Sequence, residues 1–322
     1  MADLGLHAAL LLLGIGTLYY GAEWLVRGSA RLAASLGVPP IVVGLTVVSL
    51  GTSAPELVVC IMAAVGGNPG LAVGNVLGSN LANLGLILGL TALIRPLDVH
   101  ARVVWREAPL MLLVTTALFP LMWDLEVSRG DGVLLLFALA AYLTFVLMSA
   151  GDEAPEVLGE FEGFMEASTG NGTALHLTDL LWVIAGSAAL VLGGYCIVEG
   201  AVHIASTFGV SDVTIGLTVV AIGTSLPELA TSLVAAARKE ADIAVGNVIG
   251  SNIFNVAGIL GITSIVEPIA VPASVLTREL PGVVLVSMLV LPMLRTDWRL
   301  ARWEGGVLLA AYVAVTVAFF AI

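Results

Sequence analysis

Long apolar runs alternate along the chain with short breaks rich in glycine, proline and charge. A run of about 20 apolar residues, wound as a helix, crosses the hydrocarbon layer of a bilayer. Runs of this kind predict ten helices, at about 5–26, 41–65, 72–94, 103–123, 132–150, 178–199, 213–237, 241–266, 274–294 and 304–321. Five fall on each side of the longest polar stretch, 151–177. The chain thus divides into a first five-helix unit (1–150), a linker (151–177) and a second five-helix unit (178–322). The opening run follows MADLGLH, which has no positive charge, and outruns the apolar core of a secretory signal, so it reads as a retained span.

Composition and charge add a class and an orientation. Of 322 residues, 59% are hydrophobic and 11% charged, and mean hydropathy is +1.05. That is the make-up of an all-α polytopic membrane protein. The net charge of −12 excludes nucleic acid as a partner, because phosphates need a basic surface. With the N-terminus outside, the inner loops hold Arg27, Arg31, Arg95, Arg102, Arg106, Arg238, Lys239, Arg295, Arg299 and Arg302. The outer loops hold Arg129 and Arg278. This positive-inside bias places both termini outside and the linker in the cytoplasm, in a multi-pass protein of the plasma membrane. An odd number of helices per unit makes the second unit enter the membrane from the opposite side. The result is an inverted repeat, an architecture of many secondary transporters.

The linker is crowded with Asp152, Glu153, Glu156, Glu160, Glu162 and Glu166. It reads as a solvated acidic segment, and its spacing matches no EF-hand loop. The NGT sequon at 171–173 falls inside by the same parity and is discounted. Cys60 and Cys196 lie in apolar runs and read as buried small residues, neither a disulfide nor a metal site. His7, His100, His176 and His203 read as surface residues near helix ends or in loops. Glu23 stands four residues before Arg27, which predicts an ion pair at the end of the first helix.

One stretch occurs twice. Residues 44–56 read GLTVVSLGTSAPE and 216–228 read GLTVVAIGTSLPE. The offset, 228 − 56 = 172, holds without a gap from Gly44/Gly216 to Pro96/Pro268, with roughly half of the paired positions identical. Each copy puts an acid, Glu56 or Glu228, inside an apolar run. A charged glutamate there costs several kcal/mol, on the order of 2.5–3.5 on insertion scales, unless something offsets it. No lysine or arginine lies in the central runs, so a bound cation is the natural counter-charge. A protonated glutamate bonded to a neighbouring helix would be the alternative, and it leaves the duplication unexplained.

The neighbouring residues are of the right kind. Gly51, Pro55, Gly223 and Pro227 predict breaks in helices 2 and 7, and breaks in a bilayer are tolerated where carbonyls line a cavity or meet an ion. Thr52, Ser53, Thr224 and Ser225 add hydroxyls beside the acids. GNVLGSNLAN at 74–83 and GNVIGSNIFN at 246–255 follow, with G-x-x-x-G spacing for close helix approach. Ser79 and Asn83, and Ser251 and Asn255, stand four apart on one helical face and can complete an oxygen cage. Asn75, Asn80, Asn247 and Asn252 serve equally well as helix-to-helix hydrogen bonds. An all-oxygen set suits Ca²⁺ and Na⁺ and not a soft metal.

These paired motifs resemble the α-repeats of the cation/calcium exchanger superfamily, in particular the prokaryotic sodium/calcium exchangers. The resemblance covers nearly the whole chain. It implies a core of helices 2, 3, 7 and 8 across which helices 1 and 6 slide. It implies Glu56 and Glu228 as Ca²⁺ ligands and Thr52, Ser53, Ser79, Thr224, Ser225 and Ser251 as Na⁺-type ligands, with Ser49 and Ala221 at positions that supply carbonyls. Some family members carry aspartate where this chain has Asn255, and that acid accompanies K⁺ use; the amides Asn83 and Asn255 argue here for K⁺ independence. Ca²⁺ and Na⁺ would be transported ions competing for one cage, with several Na⁺ per Ca²⁺ and net charge movement. Protons would compete for the same oxygens, so acid should inhibit. A Ca²⁺/H⁺ antiporter of the same superfamily is the nearest alternative, and a passive channel or a non-transporting scaffold are others. No catalytic residues and no cofactor are expected, since no nucleophile–base pair or metal triad is present. The expected partners are inorganic cations and lipid, and a monomer is compatible with the scheme.

Overall fold

The computed structural model describes residues 2–36, 40–148, 177–207 and 221–320. The linker at 151–176 and residues 213–220 of the seventh predicted span lie outside the described residues. The remainder is overwhelmingly helical. In chain order the helices are α1 (Ala2–Leu36), α2 (Gly44–Thr52), α3 (Ala54–Val65), α4 (Pro69–Ile94), α5 (Val103–Leu121) and α6 (Arg129–Met148). The second half holds α7 (Leu177–Thr207), α8 (Ala221–Thr224), α9 (Leu226–Ala237), α10 (Ala241–Val266), α11 (Val275–Trp298) and α12 (Arg302–Phe320). Among the described residues, seven helices are long and apolar enough to cross a membrane, and the bent pair α2–α3 makes an eighth.

The predicted breaks are present. α2 and α3 meet at 51°, with Ser53 out of helical conformation (φ −83°, ψ 6°). Ser225 does the same between α8 and α9 (φ −89°, ψ 6°). Pro55 and Pro227 lie in the first turn after each break, where the missing N–H costs nothing and the fixed φ starts a new helix. Widened π turns occur at Gly44–Val48, Ala82–Ile87 and Phe254–Leu260, lengthening α2, α4 and α10 by a register step beside the breaks.

The sequence reading needs three corrections. First, α1 does not end near residue 26 but runs to Leu36, about 52 Å at 1.5 Å per residue. Its polar residues are satisfied from elsewhere: Glu23 pairs with Arg238, not Arg27, and Arg31 lies 3.6 Å from Asp179. Second, the fold is not wholly α. Four two-residue strands join in antiparallel pairs, β1 (Leu97–Asp98) with β4 (Arg299–Leu300) and β2 (Glu126–Val127) with β3 (Ile269–Ala270). Interhelical loops with free backbone groups satisfy one another this way. Third, three of the histidines are half-buried and partnered rather than surface residues: the rings of His7 and His203 stack at 3.5 Å, and His100 sits 3.0 Å from Asp242.

α1 and α7 pack antiparallel along their lengths. A Cβ at Gly21 would stand 2.9 Å from Leu190 N, one at Gly28 2.9 Å from Val183 N, and one at Gly186 2.5 Å from Leu25 N. Glycines at seven-residue steps thus bring the two backbones into contact. The remaining helices bury one continuous apolar core around α4 and α10, which are the most enclosed spans.

Candidate functional site

The two breaks bring Glu56 and Glu228 together in the buried centre. Each acid is the third residue of a new helix, in its first turn, where exposed N–H groups favour negative charge. Both side chains are 1% exposed. The contacts cross between the halves. Ser53 Oγ donates to Glu228 Oε1 at 3.1 Å, and Ser225 Oγ donates to Glu56 Oε1 at 3.4 Å. Thr52 lies within hydrogen-bonding reach of Glu228 and Thr224 within reach of Glu56. Ser225 Oγ also stands 3.5 Å from Ser79 Oγ.

The glycine-rich segments of α4 and α10 close the sides. Ser79, Asn83, Ser251 and Asn255 are all buried. Asn255 Nδ2 donates to Asn80 Oδ1 at 3.0 Å, and Asn80 Nδ2 to the Asn252 carbonyl at 3.2 Å. Asn83 and Asn255 fall in the π turns, so their placement owes as much to the widened turn as to four-residue periodicity. Ser49 is buried, but its carbonyl accepts the Ser53 N–H at 3.0 Å and its hydroxyl donates to the Gly44 carbonyl at 2.7 Å. The carbonyl oxygen has a second lone pair, so the bond from Ser53 does not exclude it as a ligand. Ala221 opens the short helix α8, one residue before Ile222, whose carbonyl accepts Ser225 N–H.

Several buried oxygens here meet no hydrogen-bond donor: Glu56 Oε2, Glu228 Oε2, Asn83 Oδ1, Ser251 Oγ and Asn255 Oδ1. Left so, each would carry the desolvation penalty of a buried polar atom, and the carboxylates much more. Among the described residues no basic side chain forms an ion pair with either glutamate. The contrast with a third buried acid is instructive. Glu107 is 0% exposed and has its own arginine, Arg102, at 3.1 Å, which also donates to the Val146 carbonyl at 3.0 Å. The fold supplies a basic partner where a carboxylate is structural. At Glu56 and Glu228 it supplies hydroxyls and amide oxygens, the hard ligands that fit Na⁺ or Ca²⁺.

Sequence reasoning left Asn247 and Asn80 undecided between site and scaffold, and both abut the site. It missed Thr231, which is fully buried one turn beyond Glu228 with an unpartnered hydroxyl. The available signal was the departure of the second copy from the first: Thr231 and Ser232 stand where the first has Val59 and Cys60. Asn75 is half-buried, its amide donating to Cys60 Sγ at 3.3 Å.

Known proteins resemble this chain along its length. The family model described as "Sodium/calcium exchanger protein" matches residues 6–148 and 178–321. The "Putative antiporter CaxA" of Alkalimonas amylolytica is 37% identical over 96% of this chain and 97% of its own. The "Sodium/calcium exchanger MaX1" of Methanosarcina acetivorans is 33% identical, over 97% of each. Solved structures of the sodium-calcium exchanger NCX_Mj superpose with a TM-score of 0.82 at 32% identity, covering 98% of both chains. A repeated acid in a broken helix, a matched family model and a shared fold along the full length agree: this chain is a membrane protein of the sodium/calcium exchanger family.

Proposed function

We propose that the protein is a secondary active antiporter that exchanges Na⁺ for Ca²⁺ by alternating access, using one cage built on Glu56 and Glu228. The observation that carries this reading is the pair of buried carboxylates, one from each half, with unpartnered oxygens and no basic counter-charge among the described residues. One Ca²⁺ or several Na⁺ neutralise the pair, and because the ligands are shared the two sets exclude each other. A filled cage is neutral enough to be carried; a partly filled one leaves a bare charge in a low-dielectric core and resists the move. Thr52, Ser53, Ser79, Asn83 and their counterparts Thr224, Ser225, Ser251 and Asn255 supply the remaining oxygens, with backbone from Ser49 and Ala221. Two acids rather than three favour K⁺ independence.

We read the chain as ten spans in two inverted five-helix units, 1–150 and 178–322, joined by the cytoplasmic linker, with both termini outside. The inner-side assignment is supported by the partners of the basic residues. Arg95 donates to the Ala237 carbonyl, Arg302 to the Ile94 carbonyl, and Arg299 pairs with Asp98. All these groups belong to loops or helix ends assigned to one face.

The test is ⁴⁵Ca²⁺ uptake into proteoliposomes holding the purified full chain. An outward Na⁺ gradient should drive uptake, and Glu56→Gln or Glu228→Gln should reduce it to background. Uptake driven by a pH gradient alone, without Na⁺, would assign the protein to Ca²⁺/H⁺ exchange instead. Uptake that follows only the Ca²⁺ gradient would mean a channel.

A further inference from the structure

The two copies of the repeat are not equivalent around their first asparagine. Asn247 is fully buried and ties three segments together. Its Nδ2 donates to Ser232 Oγ at 3.2 Å and to the Glu228 carbonyl at 3.4 Å, both on α9. A carbonyl only accepts, so the amide nitrogen must face α9 and Oδ1 must face α2. There Oδ1 accepts the Thr52 hydroxyl at 3.1 Å. Ser49 Oγ, whose proton goes to the Gly44 carbonyl at 2.7 Å, lies 3.2 Å from the Asn247 carbonyl. The counterpart in the first copy, Asn75, is half-buried and donates to Cys60 Sγ instead.

We propose that Asn247 is a positioning residue of the cage: it takes the hydroxyl proton of Thr52 and so keeps the Thr52 lone pairs turned toward the cation. A hydroxyl that binds a cation through oxygen must still place its proton on some acceptor. Glu228 and the Ser49 carbonyl, 3.4 Å away, compete for that proton, and a carboxylate spent on a hydroxyl is a weaker ligand. Asn247 takes the proton, leaving the Thr52 lone pairs and Glu228 Oε2, which meets no donor, for the ion. The proposal rests on the reading of this cage as the ion site.

The test measures Na⁺-driven ⁴⁵Ca²⁺ uptake by the full-length protein in proteoliposomes, separating half-saturating Na⁺ from maximal rate. Asn247→Ala should raise half-saturating Na⁺ about five-fold, the worth of one ordinary hydrogen bond, with a smaller change in maximal rate, and Thr52→Val, which removes the ligand oxygen as well, by at least as much. The double variant should be no worse than Thr52→Val alone, because Asn247 acts through the Thr52 hydroxyl. Additive effects of Asn247→Ala and Thr52→Val would overturn the proposal. Should Asn247→Ala not yield folded protein, Ser232→Ala, which removes only one anchor of Asn247, replaces it in the same cycle with Thr52→Val, and additivity there overturns it equally. Glu56→Gln and Glu228→Gln run alongside. Transport surviving in those two refutes the cage itself, whereas their loss of transport together with additivity refutes the role of Asn247 alone.

Discussion

Glu56, Glu107 and Glu228 are all buried carboxylates, and their neighbours divide them by purpose. Glu107 meets Arg102, while the other two meet serine and threonine hydroxyls. The sequence made Glu56 and Glu228 conspicuous because each interrupts an apolar run twice over. Glu107 escaped notice because it sits beside Arg106 in what reads as a helix end, although Arg106-Glu107 and Pro109 recur as Arg278-Glu279 and Pro281 at the same offset. Glu240 shows a fourth environment, outside the spans, in the turn between α9 and α10. Burial pushes its carboxyl from 4.5 up to about 7, with Asp242 adding to the rise and Arg238 opposing it. Below 4.5 the group is protonated whether the chain is folded or not. Between there and about 7 the folded state keeps a proton that the unfolded chain gives up, so stability falls as pH rises through this window. Glu240→Gln should therefore raise the thermal midpoint in detergent more at about pH 8 than at about pH 5. An equal gain at both would show that burial of the charge is not the cause.

At the scale of elements, the breaks in the second and seventh predicted helices were legible from glycine and proline flanking an acid, because those residues act locally. Helix ends set by tertiary partners were not. α1 continues past its charged residues because Arg238 and Asp179, more than 140 residues away in sequence, receive them. The strand pairs were hidden for the same reason: two residues of extended chain carry no pattern until the opposing loop is in place. The close approach of α1 and α7 is a glycine effect with a direct test. Gly186 has no room for a side chain, whereas nothing lies within 4 Å of a Cβ at Gly16 on α1. Gly186→Ala should force the helices apart and cost about 1–3 kcal/mol, the usual range for overpacking. Gly16→Ala should be neutral or slightly stabilising through helix propensity. Thermal unfolding of both variants compares them, and equal midpoints would mean that the contact is softer than its geometry.

For the whole molecule, the cross-pairing of loops states which ends of the helices share a face. β1, after α4, pairs with β4, before α12; β2, after α5, pairs with β3, after α10. If each helix or broken pair crosses once, the first pair lies on the side predicted to be cytoplasmic and the second on the opposite side. Asp98 in the first pair is exposed, as is Trp123 just before the second. In whole cells carrying Cys196→Ser, with buried Cys60 retained, Trp123→Cys should react with a membrane-impermeant maleimide and Asp98→Cys should not. In inverted vesicles the two should exchange behaviour. Labelling of both from the same side would break the parity of crossings between α4 and α12. With it would go the inverted relation of the two units, and the only arrangement in which like-facing breaks can present two acids to one ion from opposite sides of the membrane.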